Sequence, residues 1–271
     1  MELPECRTLL LRLEQGVLWL TLNRPDARNA MDMDMLAEIG AVFARIAEEP
    51  GCVRAVVLRG AGGHFCAGGD LKGMLAGGVK LPATGTDDPI MAMNRAFGAM
   101  LRQVAQAPPV VIAVCDGAVM GGGFGLACVS DVAFAHVDAR FGLPETTRGL
   151  PPAQIAPFVV ERIGLTQARR LCLTGVTIRG GDALRLGLVH EVFEDEDALQ
   201  TRLRDTLTQV RQCAPQANAL TKQILMNAAR LEIDAVLDDA ARKFAASVRG
   251  PEAPEGIAAF MQRRAPSWSQ P

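Results

Sequence analysis

The period of the apolar residues changes several times along this chain. Gly16 to Asn23 is apolar on both faces of an extended segment and closes in the turn-prone Asn23-Arg24-Pro25-Asp26, which predicts a buried strand. Met35, Ile39, Val42, Phe43 and Ile46 then recur at helical spacing until Pro50-Gly51 stops the run. Val53 to Arg59 and Val110 to Cys115 predict two more buried strands, with a helix over Asp88 to Ala107 between them and a short strand over Val132 to Ala135 after them. Strands alternating with helices predict an α/β fold with largely parallel pairing. Beyond Leu150 helical patterns dominate, near Ile155–Ile163, Thr166–Leu173, Leu199–Gln212, Pro215–Arg230 and from Ile233 onward, with one edge strand over Val189 to Phe193. This divides the chain into an α/β core over residues 1–195 and a helical region over 196–271, suited to covering the sheet or to oligomer contacts.

Composition narrows the classes. Hydrophobic residues make up 49% and charged residues 21% of 271, as expected of a soluble globular protein. The formal net charge of −2 gives no electrostatic reason to expect nucleic acid or a membrane surface. The apolar runs are too short and too glycine-interrupted to span a bilayer, and Met1 to Glu5 does not look like a secretion signal. Seven cysteines without CxxC spacing predict buried reduced thiols and a cytoplasmic setting. His64, His136 and His190 are far apart and show no metal-ligand pattern, so no metal is expected.

The chemistry concentrates in Gly117 to Leu126, directly after the Val110 strand. A strand that runs into Gly121-Gly122-Gly123 and on into a small-residue helix delivers bare backbone N–H groups to one point, where glycine allows a ligand to come close. The helix N-terminus adds about half a positive charge. Such a turn suits an oxygen that becomes negative during a reaction. It lacks the G-x-G-x-x-G order of a dinucleotide site.

Three other segments stand in order around it: Asn23-Arg24-Pro25-Asp26-Ala27-Arg28-Asn29-Ala30, His64-Phe65-Cys66-Ala67-Gly68-Gly69-Asp70-Leu71-Lys72, and Asp138-Ala139-Arg140-Phe141-Gly142-Leu143-Pro144-Glu145. Together the four resemble the enoyl-CoA hydratase/isomerase (crotonase) family over roughly Leu10 to Arg230. The resemblance implies a spiral of ββα units with a helical C-terminal region, a homo-trimer or hexamer, and an acyl-CoA thioester substrate with no separate cofactor. It places the thioester oxygen between the N–H groups of Gly69 and Gly122. Two preorganised donors of that kind stabilise an enolate-like oxygen by several kcal/mol. It also places substrate and coenzyme A against Arg28, Ala67, Gly68, Asp70, Leu71, Lys72, Gly121 and Arg148. Arg28 and Lys72 are either phosphate contacts or solvated surface cations. Lys222 either helps cover coenzyme A or solvates a helix face.

Glu145, held by Pro144, is the acid–base candidate that the resemblance implies, and an apolar acyl pocket beside it would raise its pKa. One position departs from the pattern of the two-glutamate hydratases: the place of the second glutamate is Gly125, at the family spacing from Glu145 (145 − 125 = 20). Glu145 to Phe158 is similar to hydratases of branched 3-methylglutaconyl or isohexenylglutaconyl thioesters, which carry a distal carboxylate. Arg148 would then meet that carboxylate, or else pair with Glu145, three residues away. Thr146 and Gln154 are conceivable water holders. Hydration of a branched 2-enoyl-CoA is the leading expectation. Δ3–Δ2 isomerisation by the single Glu145 and non-catalytic acyl-CoA binding stand as alternatives. Gly73 to Pro89, rich in glycine and proline, is expected to form a loop beside the site.

Overall fold

The computed structural model describes residues 1–70 and 88–269. Leu71, Lys72 and nearly all of the Gly73–Pro89 segment therefore lie outside the described residues. The chain opens with a hairpin absent from the sequence reading: β1 (Leu9–Glu14) pairs antiparallel with β2 (Val17–Leu22), from Leu9 opposite Leu22 to Glu14 opposite Val17. Gln15 and Gly16 both take positive φ (49° and 73°), the pairing that a two-residue hairpin turn requires. From β2 onward the large sheet is parallel, through β3 (Ala55–Gly60), β4 (Val110–Cys115), β6 (Val132–His136) and the edge strand β9 (Glu191–Phe193).

A second sheet of three strands carries β5 (Ala118–Met120), β7 (Arg140–Gly142) and β8 (Ile178–Arg179). None of these is legible in the sequence, because two- and three-residue strands show no period. They make the ββα rhythm visible. Strand β4 of the large sheet is followed by β5 of the small one and then helix α3 (Gly122–Val129); β6 is followed by β7 and then α4 (Ala156–Thr174). The turn after β3 joins the same scheme through a parallel bridge from Cys66 to Val119.

The helices begin where local chemistry allows. Asp32 caps α1 (Met33–Glu48), accepting the Met35 N–H at 2.9 Å, and Asp88 caps α2 (Pro89–Ala105), accepting the Ile90 N–H at 2.8 Å. Two helical patterns in the sequence form one element, α4, broken at Gly164 (φ 74°, ψ 158°). A short α5 (Gly180–Arg185) precedes the C-terminal helices α6 (Glu196–Gln212), α7 (Pro215–Ala228), α8 (Ile233–Arg249) and α9 (Glu252–Met261).

The central strands β3 and β4 of the large sheet are buried on both faces, which explains their continuous apolar runs. Val56 and Leu58 face the core shared with α1, whereas Ala55 and Val57 face Leu199, Leu203 and Leu207 of α6. Each of those leucines contributes about 2 kcal/mol by leaving water. The last three helices behave differently. Leu225, Ile233, Leu237, Phe244, Ile257 and Phe260 are all more than half exposed. Lys222 does not simply solvate a helix face: its side chain is largely buried, donates to the Ala107 and Pro109 carbonyls at 2.8 and 2.6 Å, and pairs with Asp131 at 2.6 Å. Asp131 in turn accepts the Val111 N–H at 2.7 Å, so α7 is pinned to the start of β4.

At the same end of the sheet, where the Arg54 carbonyl accepts the Val110 N–H, the Arg54 guanidinium donates to the carbonyls of Trp268, Val210 and Cys213, and Trp268 donates its indole N–H to the Gln212 carbonyl. Of the cysteines, Cys66, Cys115 and Cys128 are buried free thiols, as expected, while Cys52 and Cys213 are free but exposed, so the expectation of burial does not extend to them. Among the described residues no cluster of His, Cys, Asp or Glu could hold a metal, and no helix is long and apolar enough to cross a membrane.

Candidate active site

The first motif builds the frame. After β2 the chain makes a single 3-10 turn (Pro25–Ala27), and Arg28 and Asn29 follow with φ of 49° and 57°. Asparagine tolerates that left-handed geometry better than most residues. The Asn29 side chain is fully buried; it accepts the Arg24 N–H at 2.9 Å and donates to the Ala61 and His64 carbonyls at 2.8 and 2.7 Å. Arg24 pairs with Asp70 at 2.9 Å and Asp32 at 3.2 Å and donates to the Ala30 carbonyl. These two residues fasten the first motif to the second. The sequence motif points to Arg28 rather than to either of them, although an asparagine just after a turn-prone segment, a residue type that tolerates left-handed backbone, is a signal the sequence does carry. Arg28 is exposed, and among the described residues its guanidinium has no partner; its carbonyl accepts the Ala67 N–H at 2.9 Å.

The second and third motifs are laced together. The Cys66 N–H bonds the Ala118 carbonyl and the Met120 N–H bonds the Cys66 carbonyl, both at 2.9 Å. Gly68 (φ +101°) can therefore approach to the point where a Cβ would sit 3.3 Å from the Met120 oxygen and 3.8 Å from Gly121 Cα. Met31 donates to the Gly68 carbonyl, and Asp70 donates back to the Met31 carbonyl, both at 2.8 Å. That alternation turns the intervening Gly69 N–H to the opposite side, and among the described residues a Cβ on Gly69 would meet nothing within 4 Å.

Gly121 then turns the chain with φ +48° and ψ −111°, outside the range an L side chain adopts easily. Gly125 makes the first helical bond, to the Gly121 carbonyl at 3.0 Å, which leaves the N–H of Gly122 without an acceptor inside the helix. Phe97 and Met31 close over Gly122, where a Cβ would lie 3.1 and 3.3 Å from them.

The fourth motif brings the carboxyl. Pro144–Arg148 forms a 3-10 turn ended by Gly149. A Cβ on Gly121 would stand 2.6 Å from Glu145 Oε1, so the carboxyl fills the space this glycine leaves. Glu145 Oε2 is buried and, among the described residues, has no hydrogen-bond partner. Burial pushes the Glu145 carboxyl upward, against weaker opposing pulls from its own backbone N–H and from the charge of Arg148. Arg148 is exposed and forms no ion pair with Glu145, which removes that one of its two expected roles. Ala67, Gly68, Gly69, Gly121, Gly122 and Glu145 thus converge, with Asp70 tied back to Arg24.

At the expected place of a second glutamate, a Cβ on Gly125 would lie 3.1 Å from Leu101 and 3.4 Å from Ile155. Apolar side chains occupy that wall.

The architecture is the crotonase fold, shared with many solved structures. The chain belongs to the enoyl-CoA hydratase/isomerase family, whose sequence model matches residues 12–271. It is similar to a crystal structure of an enoyl-CoA hydratase/isomerase from Marinobacter aquaeolei, with 54% identity, a TM-score of 0.94 and coverage of 98% of this chain and 100% of that one. It is also similar to AtuE of Pseudomonas aeruginosa, with 56% identity, a TM-score of 0.92 and coverage of 97% and 100%. The 2,3-dehydroadipyl-CoA hydratase of Escherichia coli strain K12 is 31% identical over 261 residues, covering 96% of this chain and 98% of the relative. The protein is accordingly an acyl-CoA enzyme of the hydratase/isomerase family.

Proposed function

We propose that this enzyme adds water across the double bond of a branched 2-enoyl-CoA whose acyl group ends in a carboxylate, of the 3-methylglutaconyl or isohexenylglutaconyl kind. The observation that carries the reading is the Glu145 carboxyl, lodged against Gly121 with a buried oxygen that has no hydrogen-bond partner among the described residues. The thioester oxygen accepts from the N–H groups of Gly69 and Gly122. As a water oxygen bonds to Cβ, Glu145 takes one of its protons and the π electrons move toward that thioester oxygen. The two donors and the α3 dipole hold the resulting enolate. Glu145 then returns the proton to Cα. The raised proton affinity of Glu145 suits a group that both accepts and donates. No cofactor beyond the coenzyme A of the substrate is needed. Arg28 and Lys72 take the coenzyme A phosphates, and the exposed Arg148 meets the distal carboxylate. The relative named for 2,3-dehydroadipyl-CoA supports a distal acid, since that acyl group carries one. The exposed apolar residues of α8 and α9 support assembly with further copies as a trimer or hexamer.

One observation favours a second reading. The apolar filling at Gly125 puts no carboxyl at that place, and Glu145 by itself suffices to move a proton between carbons in Δ3–Δ2 isomerisation. Turnover of 3-methylglutaconyl-CoA and crotonyl-CoA in oxygen-18 water separates the two. Label in a 3-hydroxyacyl product is expected. Unlabelled, unreacted thioester together with conversion of a 3-enoyl-CoA would make the enzyme an isomerase, and no turnover of any thioester would leave a binder.

A further inference from the structure

Helix α2 lies across the first turn of α3, with Phe97 against Gly122 and Leu101 against Gly125. Gly98 stands between these contacts and is buried. A Cβ built on it would fall on the amide oxygen of Gln154 and lie 3.0 Å from its Cδ. The Gln154 side chain therefore rests in the notch that this glycine leaves. The next residue, Ile155, closes on Gly125. The notch is within one helical turn of the contact that fills the place of a second glutamate.

The two polar side chains that follow Glu145 and were candidates for holding water differ in what they already do. Thr146 donates its hydroxyl to the Cys172 carbonyl at 3.0 Å and is committed to the fold. Gln154 is half-buried, and its amide makes no hydrogen bond among the described residues. A primary amide offers both a donor and an acceptor, which is what orienting a water molecule requires. It cannot take a proton at neutral pH.

Resting on the hydratase reading, we propose that Gln154 is the second water-orienting group of this site and does by hydrogen bonding what a second carboxylate does elsewhere. Its carbonyl accepts a hydrogen bond from one water O–H, or its NH2 donates one to the water oxygen, so that a lone pair faces Cβ. All proton transfer falls to Glu145: the water oxygen and one hydrogen end on Cβ, and the other hydrogen passes through Glu145 to Cα. Gly98 is the positioning residue, because only the missing Cβ lets the amide lie there.

The test compares two reactions of the same protein. Hydration of 3-methylglutaconyl-CoA in oxygen-18 water needs an oriented water molecule. Deuterium exchange at Cα of a saturated acyl-CoA needs only Glu145 and the oxygen-binding N–H groups. In Gln154→Leu, kcat for hydration is expected to fall on the order of 100-fold, with KM and Cα exchange within about threefold of the wild type. Gly98→Ala, which expels the amide from the notch, is expected to reproduce that split. Unchanged hydration in either variant overturns the proposal, as does an equal loss of both reactions, which would mark a structural role. If the wild type itself incorporates no label, the hydratase reading falls and takes this proposal with it. If the wild type hydrates and Gln154→Leu does so equally well, only this proposal falls.

Discussion

Two glycines four residues apart use the lack of a side chain in opposite ways. At Gly121 the missing Cβ admits the polar Glu145 carboxyl, and the backbone takes a φ of +48° that other residues resist. At Gly125 the backbone is helical and the space is taken by Leu101 and Ile155. One end of this turn is built for chemistry and the other for packing. The lesson is that a glycine's role is set by what fills the volume it leaves.

The sharpest way to break this contrast is to remove the carboxyl. Glu145→Gln is expected to lower kcat about 1,000-fold while thioester affinity, read by calorimetry, stays within threefold; near-normal turnover would remove Glu145 from the mechanism. Gly121→Ala is expected to cost about 100-fold in kcat, because its Cβ would displace Oε1, and about 1–3 kcal/mol in stability from the strained φ. A denaturant titration beside the rate assay checks both parts. Gly125→Ala tests the packing end. Its Cβ would press on Leu101 at 3.1 Å, a movable side-chain atom, and the cost of that shift offsets the roughly 1 kcal/mol that alanine gains over glycine in a helix, so rate and stability should both change little. A loss as large as that of Gly121→Ala would erase the distinction.

The smallest effect concerns pH. Burial raises the Glu145 pKa and Arg148 opposes it. Loss of the carboxylate base on acidification should therefore set in above the ordinary glutamate range. Arg148→Gln removes a charge that favours the ionised form, so the acid limb of kcat/KM should move to higher pH. A shift to lower pH would contradict the geometry.

How legible these features were depended on their physical scale. Long periodic elements such as α1 and the doubly buried β3 and β4 announce themselves, because many residues must agree on one face. The four motif segments were readable in order, and the structure brings Gly68, Gly69, Gly121, Gly122 and Glu145 together from them. Strands β5, β7 and β8 were not readable, since so few residues carry no pattern and exist only through their partners. Hairpin strand β1 escaped for a related reason: it alternates buried with exposed residues that include Arg12 and Glu14, a weak signal beside the glycine-rich motifs. The tasks of Asn29, Arg24 and Lys222 depend on carbonyls and carboxylates distant in sequence. Lys222 looked like a surface cation because nothing local reveals that Asp131 and two carbonyls wait for it.

The clamp between Arg54 and the C-terminal carbonyls has an optical consequence. The chain contains two tryptophans and no tyrosine, so its near-ultraviolet emission comes from Trp19 and Trp268 alone. Trp19 lies on the hairpin beneath the Arg12 guanidinium, 5.3 Å from the ring centre. Trp268 sits across the molecule's last turn, against Gly256, with its indole tied to Gln212 and its carbonyl held by Arg54. Each indole thus lights a different closure of the fold. A Trp19→Phe chain would glow only from the C-terminal strap and would report, in real time, when that strap lets go of the sheet.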